Sequence, residues 1–124
     1  SQQQLFVRPT SMSEVSQLAK LEKLKADDQV ALDRYAALLR LKANKDFQEV
    51  ILKHFMVEDC ASHAHNAANI SWSAAQRADC MAMAAAPGHF KNYLLGVERA
   101  AETARGRADE LDEAIVQTRQ GEDA

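Results

Sequence analysis

Aromatic side chains make up only 6% of this chain, one tryptophan, two tyrosines and four phenylalanines, and that scarcity excludes an interior built on large rings. With hydrophobic residues at 47%, many of them alanine, the interior is expected to be small and aliphatic, packed helix on helix, with little room for a substrate cavity. Two prolines and four glycines are too few for a loop-rich fold. Cys60 and Cys80 have no CxxC spacing, so the expectation is two free thiols rather than a disulfide framework. No run approaches the roughly 18 apolar residues of a membrane span, and the start Ser-Gln-Gln-Gln lacks the layout of a signal peptide. A protein made in the cytoplasm is expected. The 15 basic and 18 acidic residues are interspersed, for a net charge of −3, which argues against a dedicated nucleic-acid surface.

What the chain does have is helical periodicity, strongest in its last third. Phe90, Leu94, Val97, Ala101, Ala104, Ala108, Leu111 and Ile115 follow one another at spacings of four and three in strict alternation, the period of a coiled-coil seam. An ordinary amphipathic helix drifts by about 20° per heptad from such a repeat, so three heptads in register point to a helix-packing seam. A helix over about 89–120 would be on the order of 45 Å long at ~1.5 Å per residue, longer than a compact domain of this size can cover, so a second copy or a larger helical partner is expected on it. The middle of the seam is thin, three alanines in a row, and suits close approach of another helix. Gly96 and Gly106 lie off the seam, each costing about 1 kcal/mol of helix propensity relative to alanine. They mark either the approach of a neighbouring chain or tolerated surface positions.

The rest of the chain reads as shorter helices. Residues 1–10 form an extended N-terminal arm, polar except for Leu5-Phe6-Val7 and closed by Arg8-Pro9. Residues 11–124 form a single helical domain. Ser11 with Glu14 matches a capping box, and Val15, Leu18, Leu21 and Leu24 give a first helix at about 12–26. Asp27-Asp28 would cap a second helix through Leu32, Tyr35, Ala36 and Leu39, or the two are one helix. Asn44 is a stop. Asp46 with Glu49 repeats the capping signature for a third helix whose buried face is Phe47, Val50, Ile51, His54 and Phe55. A loop over 66–73 precedes a fourth helix capped by Ser71 or Ser73, and Pro87-Gly88 is expected to end it before the long helix begins. The fold class is all-α, a bundle of four to five helices with a long coiled-coil-like C-terminal helix.

The third helix carries the one polar constellation of interest. At 100° per residue His54, Glu58 and His65 project within about 40° of each other on the core face. Metal sites on helices need ligands one turn apart, as in HExxH, or ExxH pairs from two helices, and neither is present. His54 and Glu58 are therefore read as structural buried polar residues, with Glu58 paired to Arg77 because an unpaired buried charge is too costly to keep. No metal or cofactor is expected. Nor is catalysis, since there is no Gly-rich phosphate loop, no serine elbow, no opposed carboxylate pair and nothing to lower the pKa of either cysteine. Trp72, in the loop, is either a lid on the core or an anchor for a partner. Leu5 and Phe6 in the arm pose the same choice.

The stretch from Asp46-Phe47-Gln48-Glu49-Val50-Ile51-Leu52 through Glu58, then Arg77, then Phe90-Lys91-Asn92-Tyr93-Leu94 with its Ala/Glu/Arg-rich tail, resembles small helical proteins encoded among the virion genes of tailed bacteriophages. The likeness covers about half the chain and rests on helix caps and core positions. It implies a virion or assembly component, present in many copies and made in the host cytoplasm.

The function expected is thus that of a non-enzymatic structural or assembly protein, a head, neck, internal or scaffolding component. It would bind itself or a larger helical protein through Phe90, Leu94, Val97, Ala101, Ala104, Ala108, Leu111 and Ile115, with Leu5, Phe6 and Trp72 as outlying anchors. The alternative is a small regulatory or inhibitory module that binds a host protein. A third reading, a helix-turn-helix DNA-binding or DNA-packaging protein over 28–53, has only Arg34, Arg40, Lys42, Lys45 and Lys53 to supply basic charge, diluted by acidic neighbours.

Overall fold

A computed structural model describes residues 12–123 of the chain. Leu5, Phe6 and the Ser11 cap lie outside the described residues. Among those described the structure is all-helical: α1 (Met12–Lys42), α2 (Lys45–Phe47), a π-helix π1 (Gln48–Asp59), α3 (Cys60–Ala67) and α4 (Ala74–Asp123). Because α2, π1 and α3 follow without a break, the chain makes three helical stretches, and the expected bundle of four to five helices is corrected to that arrangement.

Of the two alternatives at Asp27-Asp28 the structure has the single helix, and the boundary expected at Pro87-Gly88 is absent. Asp27-Asp28 caps nothing: no glycine or proline interrupts 12–42, and α1 runs straight through as one helix of 31 residues. Pro87-Gly88 does not end a helix either, since α4 continues through Pro87 for 50 residues in all. An interior proline removes one hydrogen bond and crowds the preceding turn. Pro87 is buried, and in that preceding turn the carbonyl of Ala84 accepts a bond from the Cys60 thiol at 3.2 Å.

The helix ends that do exist are capped by side chains. Asn44, read as a stop, is both stop and start: its Oδ1 accepts from the Phe47 N–H at 3.0 Å and makes it the N-cap of α2, the role assigned above to Asp46. The Gln48 amide donates to the carbonyl of Lys42 at 2.7 Å and satisfies one of the open carbonyls at the end of α1. At the start of α4 Ser73 and Gln76 form a reciprocal capping box, Gln76 N–H to Ser73 Oγ at 3.1 Å and Ser73 N–H to Gln76 Oε1 at 3.0 Å.

The described residues divide into two compact units, 12–34 with 99–123 (unit 1) and 35–98 (unit 2). The described part of unit 1 is an antiparallel helical hairpin of the first half of α1 and the second half of α4. Three ion pairs set its register: Glu22 to Arg119 at 2.6 Å, Lys25 to Asp112 at 2.8 Å and Asp28 to Arg107 at 2.6 Å, so residues that advance along one helix meet residues that retreat along the other. Between them Ala101 and Ala104 are fully covered, at 0% and 1% exposure, and Leu111 and Ile115 are buried. On α1 the half-buried Leu18, Leu21, Leu24 and Leu32 and the buried Asp28 lie along the matching stripe. Removing Leu111 and Ile115 from water stabilises the hairpin by about 2 kcal/mol each.

Unit 2 packs the end of α1, the run from α2 to α3 and the first half of α4. Leu38, Cys80, Pro87 and Val97 are its buried residues. Phe55 of π1 meets Phe90 of α4 edge to face, ring centroids 6.4 Å apart at 82°.

Candidate functional site

The C-terminal half of the seam, from Ala101 to Ile115, is occupied within the chain. Ala104, Ala108 and Leu111 share a small cavity of about 130 Å³ with Lys25, Asp28, Gln29 and Leu32 of α1, and the ion pairs on either side hold that approach. The thin alanine stretch does admit a second helix, as its residues suggest, and that helix is the chain's own α1. The expectation that Ala101, Ala104, Leu111 and Ile115 face another chain is corrected accordingly, because side chains this covered offer nothing further to bind.

In unit 2 the remaining seam residues separate. Val97 is buried and Phe90 is half-buried against Phe55, while Leu94 is half-buried and lines an open groove. The groove, about 500 Å³, runs between π1 and α4 beside the end of α1. Leu52, Met56 and Val57 form one wall, Leu94 and Leu95 the other, and Lys42, Lys91 and Glu98 supply its charge. Val57 is 62% exposed. An apolar trough with a charged rim is the shape into which an amphipathic helix lays its apolar side.

The predicted face of the third helix is rotated because the helix is not α. In the π-helix the i→i+5 bonding widens the turn to roughly 4.4 residues, so positions alternate at four and five rather than three and four. Ile51, Leu52, Met56 and, beyond it, Cys60 turn inward, while Val50 and His54 turn out. His54 and Glu58 are half-exposed, at 46% and 47% of their side chains, and not the buried pair expected. Glu58 pairs with His54, its Oε2 2.7 Å from Nδ1, and not with Arg77. The other ring nitrogen, Nε2, meets Glu49 Oε1 at 3.0 Å, a five-residue spacing that only the wide turn brings to one side. His54, and after it Lys53, hold the Glu49 carboxyl below the usual carboxylate range. Arg77 is half-buried, and its Nε has no hydrogen-bond partner. Among the described residues no three His, Cys, Asp or Glu side chains converge as a metal site, and no helix is long and apolar enough to cross a membrane. Trp72 is 37% exposed, neither a closed lid nor a fully presented anchor.

Asp28 escaped the sequence reading, which placed it at a helix cap. It is buried on the stripe of α1 that faces Ala104 and Ala108, and Arg107 reaches it with two bonds, Nε to Oδ2 at 2.8 Å and Nη2 to Oδ1 at 2.6 Å. Those bonds hold the Asp28 carboxyl below its ordinary value and raise the Arg107 guanidinium. The available signal was its spacing, four residues after Leu24 and four before Leu32, opposite alanines too small to fill the seam.

Fold and surface together define an all-helical protein, a helical hairpin in one unit and an open apolar groove in the other, with its polar clusters arranged as ion pairs. No protein-family model, no curated protein and no solved structure matches the chain.

Proposed function

We propose that this is a non-enzymatic structural or assembly protein that works by helix–helix association with its own copies, a component of a tailed-phage virion made in the host cytoplasm. The observation that carries the reading is the groove of unit 2. Leu52, Met56, Leu94 and Leu95 line an open trough, Val57 is largely exposed beside them, and Tyr93, at 55% exposure, lies on the same half of α4. Apolar surface left open in this way marks an interaction site. The virion assignment rests on the resemblance of the segments 46–58 and 90–94 to small helical virion proteins. Leu5, Phe6 and Trp72 remain outlying anchors in this reading.

Absolute mass by light scattering, at two concentrations and two salt levels, tests it. A defined oligomer supports assembly. A monomer throughout turns the groove over to a foreign helix and favours a regulatory binding module. Detection of the chain in purified particles by mass spectrometry tests its placement in a virion.

A further inference from the structure

The groove wall contributed by α4 is self-complementary, and we infer that it pairs with the same wall of a second copy, antiparallel, about a two-fold axis that passes between Leu94 and Leu95. This deepens the assembly reading and rests on it. Lys91, Leu94, Leu95 and Glu98 all line the groove. On an α-helix these positions, at i, i+3, i+4 and i+7, fall in one stripe about 100° wide. Read from either end the stripe is the same except for the sign of its charge: a cation, two leucines, an anion. A two-fold interface places each residue of one copy against the residue equally far from the axis on the other. Lys91 then faces Glu98 of the second copy, Glu98 faces its Lys91, and the leucine pairs interdigitate at the centre.

Among the described residues no ion pair takes up these charges. Lys91 and Glu98 have no ion pair among the described residues, and two helical turns, about 10.5 Å of rise, separate them from one another. Contrast the C-terminal half of α4, where Arg107, Asp112 and Arg119 are all engaged by α1. The chain's long helix thus spends one half on its own hairpin and leaves the other half with matched, unused charges on either side of an apolar centre. In the pair, Leu52, Met56 and Val57 of each copy flank the two α4 helices, so the groove is filled from above by the partner's leucines. A parallel arrangement of the same two stripes would set lysine against lysine and glutamate against glutamate, which the charges disfavour.

Two charge reversals in the full chain, K91E and E98K, test the geometry, with mass read by light scattering and fold checked by circular dichroism. Wild type is expected to form a dimer or an even-numbered oligomer. Either reversal alone sets like charges against each other twice in the homodimer and should weaken association at least about tenfold at low salt, with partial recovery at high salt as the repulsion is screened. Mixing the two variants should restore association as a heterodimer, because both contacts are then opposite in sign. Leu95→Asp, at the axis, should abolish association in any mixture. If wild type assembles and neither reversal matters, or the mixture fails to recover, this interface is wrong while the assembly reading stands. A wild type that is monomeric at every concentration overturns both and leaves the groove to a foreign helix.

Discussion

Asp28 stands where the stripe of α1 calls for an apolar side chain, and its cost is met by Arg107, which reaches across the alanines with two bonds. A buried carboxylate without that partner would lose more than the pair gains in stability, because the remaining charge has no water to turn to. The sign of its pH dependence follows from the direction of the shift. The folded Asp28 titrates below the unfolded carboxylate, near 3.9, so its stabilisation is complete above that value and is lost as pH falls through the lower, folded value. Asp28→Asn should therefore melt a few degrees below wild type at pH 7, and the gap should close below about pH 4. Thermal melts across that range check it, and a gap that persists unchanged at pH 2 would mean that the carboxylate charge is not what Arg107 holds. Beside this pair, Gly106 is in open space: a Cβ there would meet nothing within 4 Å, as at Gly96. Among the described residues neither glycine marks a close approach. Gly106→Ala should raise stability by about 0.5–1 kcal/mol in denaturant titration, since it removes chain entropy from the unfolded state and adds no clash.

At the scale of the elements, what the sequence announces locally is what can be read from it. The heptad seam over the last third, the loop before α4, the cap at Ser73 and the all-α class depend on residues three or four apart, and all are present. The features that resisted are those whose cause is distant in sequence. A proline in the middle of a helix costs about 3 kcal/mol by itself, so Pro87 reads as a stop. α4 nevertheless runs through it, with Pro87 buried in unit 2 and the thiol of Cys60, 24 residues from Ala84 in the chain, donating to the Ala84 carbonyl in the turn before. The π-helix has no local signature. Once its turn is wider than 3.6 residues, a face drawn at 100° per residue is displaced a little more with each step, so that of the expected face Phe47 and Ile51 are half-buried while Val50, His54 and Phe55 are exposed. The partner of the seam is also unreadable from the seam: three alanines announce that a helix comes close, but the identity of that helix is fixed by Glu22, Lys25 and Asp28, nearly a whole chain earlier.

For the whole molecule the question is whether the two units unfold as one. α1 passes from the first unit to the second between Arg34 and Tyr35, and α4 passes back between Glu98 and Arg99, each without a break in its helix. Helical hydrogen bonds propagate cooperatively, so fraying at one end of α4 is transmitted along it more readily than across a loop. Leu111→Ala tests the strength of that link. Leu111 is buried in unit 1, and its truncation should cost about 2–4 kcal/mol. The chain's single tryptophan, Trp72, belongs to unit 2 and reports on it alone by fluorescence, whereas far-ultraviolet circular dichroism reports on every helix. If the shared helices couple the units, the substitution moves both transitions to lower denaturant by the same amount, and the two probes stay coincident. Were the Trp72 transition to stay in place while the circular dichroism curve split in two, the helices would be conduits of the chain and not of its stability. The groove of unit 2 could then remain folded and competent for association after the hairpin had melted, a state in which light scattering would still find the oligomer.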